Sequence, residues 1–447
     1  MKTKLSKKQL KILGLSSLGG TLEFYDFIIF VFFASIISRH FFPESLSQTW
    51  RDINTYGIFA AGYLARPLGG IVMGHFGDKF GRKNMFMLSI LLMVIPTFLL
   101  AIVPTFESVG YAAPIFLILV RLCQGIAVGG ELPGAWVFIH EHAPEGRKNL
   151  YLGCLTASVT AGILLGALVY LGIYAVFDAN EVQEWAWRVP FALGGIFGIV
   201  SVYLRKFLEE TPVFQQMKMD SVLVRFPLKE VLKSSKFGVV VSMLITWMLT
   251  ACILIFILIM PNFLVAPDAN GVKILDFSAF EKTYLQIGGL FCLISALIFG
   301  GFLADKFKPH KVCMAFTLAF AFFAFSFFAA IYTTDKNEAQ IVFLYCLVCL
   351  SAGVANFCPI FMSDVFKSHI RFSGISFAYN IAYALSGGFT PQLITYLHIK
   401  ARSAQAGSWA SYGPSVYIFS VCLATLLASV LMARIYKANN SPRTKKR

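Results

Sequence analysis

The sequence predicts an all-α integral membrane protein of twelve transmembrane helices in two pseudo-symmetric six-helix lobes. Three observations predict it. The 447 residues are 57% hydrophobic and only 14% charged, with 45 Phe and a mean hydropathy of +0.71, whereas a soluble domain carries about 25% charged residues. Apolar runs of spanning length recur twelve times, and basic residues gather in every second loop and at both ends. A spanning helix takes roughly 20 residues, so twelve use about 240 and leave the rest for short loops. This composition excludes an ordinary cytosolic enzyme, a disordered chain and a coiled coil. A transmembrane barrel needs ~10-residue alternating segments, and the runs here are continuous and far longer.

In chain order the runs lie at roughly 14–38, 53–76, 85–104, 114–140, 151–177, 188–207, 237–265, 281–303, 311–332, 340–363, 372–397 and 412–436. The basic tracts between them are Lys2 to Lys11, Lys79 to Lys83, Arg147–Lys148, Arg205 to Lys236, Lys306 to Lys311, Lys367 with Arg371, and Arg434 to Arg447. They hold 28 of the 38 Lys and Arg; the alternate loops hold 8, and 2 (Arg66 and Arg121) lie inside runs. That bias is the positive-inside signature and places both termini in the cytoplasm. The net charge of +15 therefore reports orientation in a bilayer, and no nucleic-acid partner is expected. The first run is too long for a signal peptide, holds two carboxylates and lacks a convincing cleavage site. All nine cysteines lie in apolar stretches and suggest no disulfide framework; Cys346-x-x-Cys349 has no second pair to make a metal site.

The domain plan follows: a six-helix lobe over 1–207, a cytoplasmic segment over 208–236, a second six-helix lobe over 237–436 and a short basic tail over 437–447. Within the segment, Thr211-Pro212 reads as a helix cap followed by proline at the first helical position. The lobes look related. Asp78-Lys79-Phe80 recurs as Asp305-Lys306-Phe307, and Arg147 is answered by Arg371, at offsets of 227 and 224 residues. Duplication at half the chain length is the mark of a two-lobed transporter. Gly81-Arg82-Lys83 is degraded in the second copy to Lys308-Pro309-His310.

Charges inside spans cost ~2.5–3.5 kcal/mol each on the insertion scale and are functional candidates. Five stand out, all in the first half: Glu23, Asp26, Arg66, Arg121 and Glu131. The second half offers neutral groups instead, Gln286, Asn356, Tyr379 and Asn380. Glu23 and Asp26 are three residues apart and share a helix face. Two ionised carboxylates there would repel, so one of them favours holding a proton. An Asp26–Arg121 pair could open on protonation, or could be a static buried ion pair. Arg66 could hold a substrate carboxylate through two parallel hydrogen bonds, or could brace Glu23 or Asp26. Glycines at 125, 129, 130, 162 and 166 allow close helix approach, and Gly387-Gly388 with Pro391 reads as an interruption of the eleventh span.

Several stretches resemble the major facilitator superfamily, and within it the metabolite:proton symporter family. These are Gly74 to Lys83, Glu23-Phe24-Tyr25-Asp26-Phe27, Ala65-Arg66-Pro67-Leu68-Gly69-Gly70 and Arg121-Leu122-Cys123-Gln124-Gly125 with Gly129-Gly130-Glu131. Trp187-Arg188-Val189-Pro190-Phe191, Glu210 to Phe214 and Gly374 to Asn380 complete the set. Relatives of this kind carry proline or betaine, α-ketoglutarate, shikimate and citrate. The resemblance implies a central cavity, alternating access and proton-coupled uptake across a bacterial inner membrane. It also implies a gate in which Gly77 permits close approach and Asp78 lies against a helix N-terminus, where the macrodipole favours an anion. Arg82 and Lys83 are expected to face cytoplasm or anionic lipid, with Asp305 as the second copy's gate residue. The Asp26–Arg121 pairing is similar to the coupling pair of sugar–proton symporters.

The expected function is import of a small carboxylate-bearing metabolite, an organic acid or a zwitterion, together with a proton. Asp26, Glu23, Arg121 and Glu131 are the proton-coupling candidates. Arg66, Tyr379, Asn380 and Trp247 are the substrate-binding candidates, the last three shaping the cavity from the second lobe. A proton-independent facilitator or exporter of the same fold is the alternative, and a transporter-like sensor a further one. A quaternary ammonium would want an aromatic cage, for which Tyr25, Tyr63, Trp136 and Trp247 are available. No HExxH, GxSxG or nucleotide-binding loop is present, so no enzyme, cofactor or metal is expected. A monomer bound to substrate, proton and bilayer is the expected assembly.

Overall fold

The computed structural model describes residues 7–267, 271–333, 337–403 and 409–439. Among them no strand occurs. Twelve long helices follow one another: α1 Lys7–Phe32, α2 Gln48–Phe80, α3 Arg82–Ile102, α4 Ala112–His142, α5 Lys148–Val176 and α6 Val189–Arg205 in the first half. The second half has α7 Lys236–Val265, α8 Ala279–Lys306, α9 Pro309–Ile331, α10 Glu338–Val365, α11 Arg371–Ser403 and α12 Gly413–Asn439. Ten of these regions are long and apolar enough to cross a membrane. The other two, α2 and α11, are 33 residues each, about 50 Å at 1.5 Å per residue. Their polar residues, Arg66 and Asn380 among them, lower their hydropathy, and those residues build the site described below.

Local chemistry explains where helices begin. Ser278 and Glu281 form a capping box at the start of α8, satisfying two of the first-turn N–H groups. Thr211 Oγ1 accepts from Phe214 N at 3.2 Å and starts the short helix Pro212–Met219, as the Thr-Pro pair predicts. The expected interruption of the eleventh span is absent: α11 continues through Pro391. Pro67 in α2, Pro96 in α3 and Pro133 in α4 are likewise carried within unbroken helices. A feature the sequence did not announce lies in α7, where Cys252–Ile259 is wound as a π-helix. Two carbonyls of this wide turn find side-chain donors, Phe256 O from Tyr345 Oη at 2.9 Å and Ile257 O from Gln286 Nε2 at 2.9 Å.

The chain packs as two compact units. One gathers the chain up to Pro144 with Ser158–Ser234 and Ser368–Ala384; the other gathers Glu145–Ala157, Ser235–Lys367 and the chain from Leu385 onward. The first turns of α11 thus belong with the first unit, and those of α5 with the second. A capping aspartate accompanies each: Asp78 Oδ2 accepts from Ser373 N at 2.8 Å, and Asp305 accepts from Asn149 N and Leu150 N at 3.0 and 2.9 Å.

In the first unit α2 and α4 touch backbone to backbone. A Cβ on Gly125 would run into the Gly62 carbonyl, and one on Gly129 into the Arg66 carbonyl. Gly125→Val should therefore melt at least as badly as ordinary overpacking, about 1–3 kcal/mol. Gly172→Ala, where nothing lies within 4 Å, should melt like the parent. Thermal unfolding in detergent measures both.

Candidate functional site

The first unit holds the sequence-predicted ionisable residues in separate settings. Arg66, on α2, is 1% exposed. Its guanidinium lies 4.1 Å from the Tyr383 ring centroid, 5.2 Å from Tyr379 and 5.7 Å from Tyr63. Tyr63 and Tyr383 are stacked with an interplanar angle of 2°, and Trp136 meets Tyr379 edge-on at 4.9 Å. Nε donates to Asn380 Oδ1 at 3.3 Å, while Asn380 Nδ2 donates to the Gly129 and Ser376 carbonyls, each at 2.7 Å. Nη2 has no hydrogen-bond partner among the described residues. Arg66 does not brace Glu23 or Asp26. It is a buried cation in a box of tyrosines, its position held by one amide.

Asp26, on α1, is fully buried, and neither carboxylate oxygen has a donor among the described residues. It projects into room left by Gly194 of α6, where a Cβ would run into Oδ1. Arg121 is also fully buried. It donates to Gln124 Oε1 at 2.7 Å and to the Phe27 carbonyl at 3.3 Å, and lies over Phe27 and Phe30 at 4.7 and 4.5 Å. Gln124 passes the chain on to Thr97 Oγ1 at 2.8 Å. The expected Asp26–Arg121 ion pair is not formed in this structure. An ionised carboxylate without a donor is very costly in a dry site, so the pocket around Asp26 suits the neutral acid.

Glu23 and Glu131 are brought together by a residue the sequence reading assigned to a cytoplasmic tract. Arg205, at the end of α6, is fully buried. Its Nη2 lies 2.6 Å from Glu23 and 2.8 Å from Glu131, and its guanidinium covers Phe86 at 3.4 Å. Ser201 Oγ donates to Glu23 Oε1 at 2.8 Å, and Ser89 Oγ to Glu131 Oε2 at 2.7 Å. The signal lay in the boundaries: Arg205 is counted with the basic tract, yet the apolar run 188–207 extends past it, and its counterions are two of the in-span carboxylates.

The residues of α2 and α3 expected at a gate are also bound among protein groups. Besides Ser373 N, Asp78 meets Arg82 at 3.1 Å. Gly77 lies against Phe372, which a Cβ would strike. Arg82 does not face cytoplasm or lipid. It is fully buried, donates to the Ser368 carbonyl at 2.8 Å and lies 3.4 Å from Glu141, which also binds Arg371 at 3.0 Å and Thr211 Oγ1 at 2.7 Å. Lys83 contributes its backbone, donating to Glu210 Oε2 at 3.2 Å. Burial of Arg82 follows from the need of Asp78 and Glu141 for a cation; Glu210 entered the sequence reading only as part of the stretch Glu210 to Phe214, and Glu141 was not a site candidate.

In the second unit Trp247 Nε1 donates to Tyr417 Oη at 2.8 Å, and Asp305 caps α5. Tyr379 and Asn380 belong with the first unit, alongside Arg66, and Tyr383 joins them without having been anticipated. No group of three or more His, Cys, Asp or Glu able to hold a metal occurs among the described residues.

A model described as Major Facilitator Superfamily matches residues 16–391. The chain is 32% identical to the shikimate transporter of Escherichia coli (strain K12), over 96% of this chain and 95% of that one. It is 30% identical to the citrate-proton symporter of Klebsiella pneumoniae, over 90% and 89%. It is 28% identical to a putative proline/betaine transporter of Staphylococcus aureus (strain COL), over 93% and 88%. Among solved structures it is similar in fold to the proton:xylose symporter XylE bound to 6-bromo-6-deoxy-D-glucose, with a TM-score of 0.76, 18% identity and 95% of each chain covered.

Removing Arg205 leaves two buried carboxylates without their cation. Arg205→Met should cost about 3–5 kcal/mol, whereas Arg225→Met, at an exposed position, should be close to neutral; urea or thermal unfolding of the two variants gives the comparison.

Proposed function

Since the chain belongs to the Major Facilitator Superfamily, we propose that it imports a small carboxylate-bearing metabolite together with a proton, by alternating access. It is a multi-pass membrane transporter and not an enzyme. The observation that carries the substrate class is Arg66. A guanidinium 1% exposed, with a free Nη2 edge and no carboxylate paired to it among the described residues, is a site prepared for an anion. Carboxylate binding there is charge-assisted and can be bidentate. Of the four aromatic residues offered for a quaternary ammonium, Tyr63 lies over Arg66 together with Tyr379 and Tyr383, so this site favours the carboxylate end of an organic acid or zwitterion. Relatives bearing the names shikimate transporter and citrate-proton symporter support that class.

Asp26 carries the proton in this reading. Neutral, it sits without a donor; ionised, it requires a cation, and Arg121 on the neighbouring α4 is the nearest in role. Opening and closing of that pair ties ionisation to conformation. Glu23 and Glu131 complete the proton-handling set, and Trp247 contributes to substrate contact from the second six-helix lobe. Asp78, Gly77, Arg82, Lys83 and Asp305 form the cytoplasmic gate. The protein works as a monomer in a bacterial inner membrane with both termini cytoplasmic and without cofactor, metal or nucleic acid.

Reconstitution in liposomes with an imposed proton gradient tests this. Asp26→Asn should abolish substrate accumulation while leaving counterflow exchange in place; equal loss of both in a folded variant would remove the proton assignment. Solute flux indifferent to the gradient in the parent protein would make it a facilitator. Arg66→Lys keeps the charge but loses the two-pronged donor, worth about 1.5–3 kcal/mol, so KM for a carboxylate substrate should rise about 10- to 100-fold.

A further inference from the structure

The cluster of Glu23, Glu131 and Arg205 has one cation and two acids. All three are buried, at 3%, 7% and 0% exposure, and among the described residues no second cation is paired with the acids. With both acids ionised the cluster is a net anion in a largely apolar site, which desolvation opposes. Holding one proton makes it neutral.

The geometry offers Glu131 Oε2 as a place for that proton. Both oxygens of Glu23 lie 2.6 Å from Arg205 Nη2, and Ser201 donates to Glu23 as well; this is the pattern of a carboxylate. Glu131 Oε1 approaches the same nitrogen at 2.8 Å but lacks a directed hydrogen bond. Its other oxygen faces Ser89 Oγ at 2.7 Å, and Ser89 has a second acceptor, the Phe86 carbonyl at 3.0 Å. A hydroxyl has one hydrogen and two lone pairs. When Glu131 is ionised, Ser89 donates to it. When Glu131 is protonated on Oε2, that O–H donates to Ser89, and Ser89 turns its hydrogen to Phe86. In both states Glu131 Oε2 and the Ser89 hydroxyl keep a hydrogen bond, and a small cavity lined by Glu23, Glu131, Gly20, Met93 and Val159 reaches both acids.

We propose that Glu131 carries a second exchangeable proton, separate from that of Asp26, with Arg205 and Ser89 as its positioning residues. The proposal rests on the proton-coupled reading above. The charged and titratable groups facing Glu131 are Glu23 from α1 and Arg205 from α6; α3 supplies Ser89, and α5 supplies the apolar Val159. The proton moves between water in the cavity and Glu131 Oε2, and no other bond changes.

The test uses the full chain in liposomes, with proton count obtained from the pH and substrate gradients at which net flux vanishes, and infrared spectra of the same protein in lipid. The parent should couple two protons to each substrate molecule. Glu131→Gln, which imitates the protonated acid and leaves the Glu23–Arg205 pair, should couple one fewer and lose a neutral-carboxyl carbonyl band. Ser89→Ala, which keeps every charge, should shift that band without removing it. A parent that moves one proton, unchanged in Glu131→Gln, overturns the second site and leaves the first reading standing. A parent with no coupling at all removes both. Retention of every neutral-carboxyl band in Glu131→Gln, or a sodium requirement for uptake, also overturns the proposal.

Discussion

Hydrocarbon cannot solvate a charge, so every ionised group sunk in this chain must be answered by protein, ligand or proton. The first unit answers in three ways. Arg205 is shared by two acids. Arg66 has aromatic faces and an amide but no acid. Asp26 has neither cation nor donor among the described residues. A purely structural ion pair would show none of these imbalances. These leftovers, a surplus acid, an unclaimed cation and an unclaimed acid, are what the proposed substrate and proton sites are built on.

The same reasoning explains the polar corners at the ends of the helices. Asp78 and Asp305 each bind first-turn N–H groups of a long helix, where the backbone has donors to spare. Around Asp78 the arrangement is extended by Arg82, which also reaches Glu141 and the Ser368 carbonyl, and Glu141 in turn holds Arg371. The second copy has Pro309 where the first has Arg82, 227 residues earlier. A proline can start α9, as it does, but it cannot collect acids. The two related corners therefore share a cap and differ in the lattice built on it.

Much of this was legible from residue order. Span count, the related halves, the cap at Thr211 and the in-span charges all come from hydropathy, spacing and the expense of burying ions. Partner choice was not legible. The Asp26–Arg121 pairing seemed natural because both residues are charged and mid-span, yet Arg121 turns to Gln124 and the aromatic faces of Phe27 and Phe30. Arg205 and Arg82 looked like loop cations because basic tracts mark the cytoplasmic side, and that statistic does not register acids on neighbouring helices. Tyr379 and Asn380 were placed across from Arg66 by their distance along the chain. Packing sets them beside it, since the first turns of α11 belong with the first unit.

The wide turn at Cys252–Ile259 has a consequence for comparing the two halves of the chain. Closing hydrogen bonds one residue later than usual adds a residue to the turn, and one residue is about 100° of rotation in an ordinary helix. Positions beyond Ile259 therefore point about a quarter-turn away from where uninterrupted winding would aim them. Matching α1 to α7 residue by residue will assign equivalent orientations correctly before Cys252 and incorrectly after it. Chimaeras that exchange the part of α7 beyond Ile259 for the matching part of α1 would turn the wrong side chains toward the helix's neighbours, even with the lengths matched.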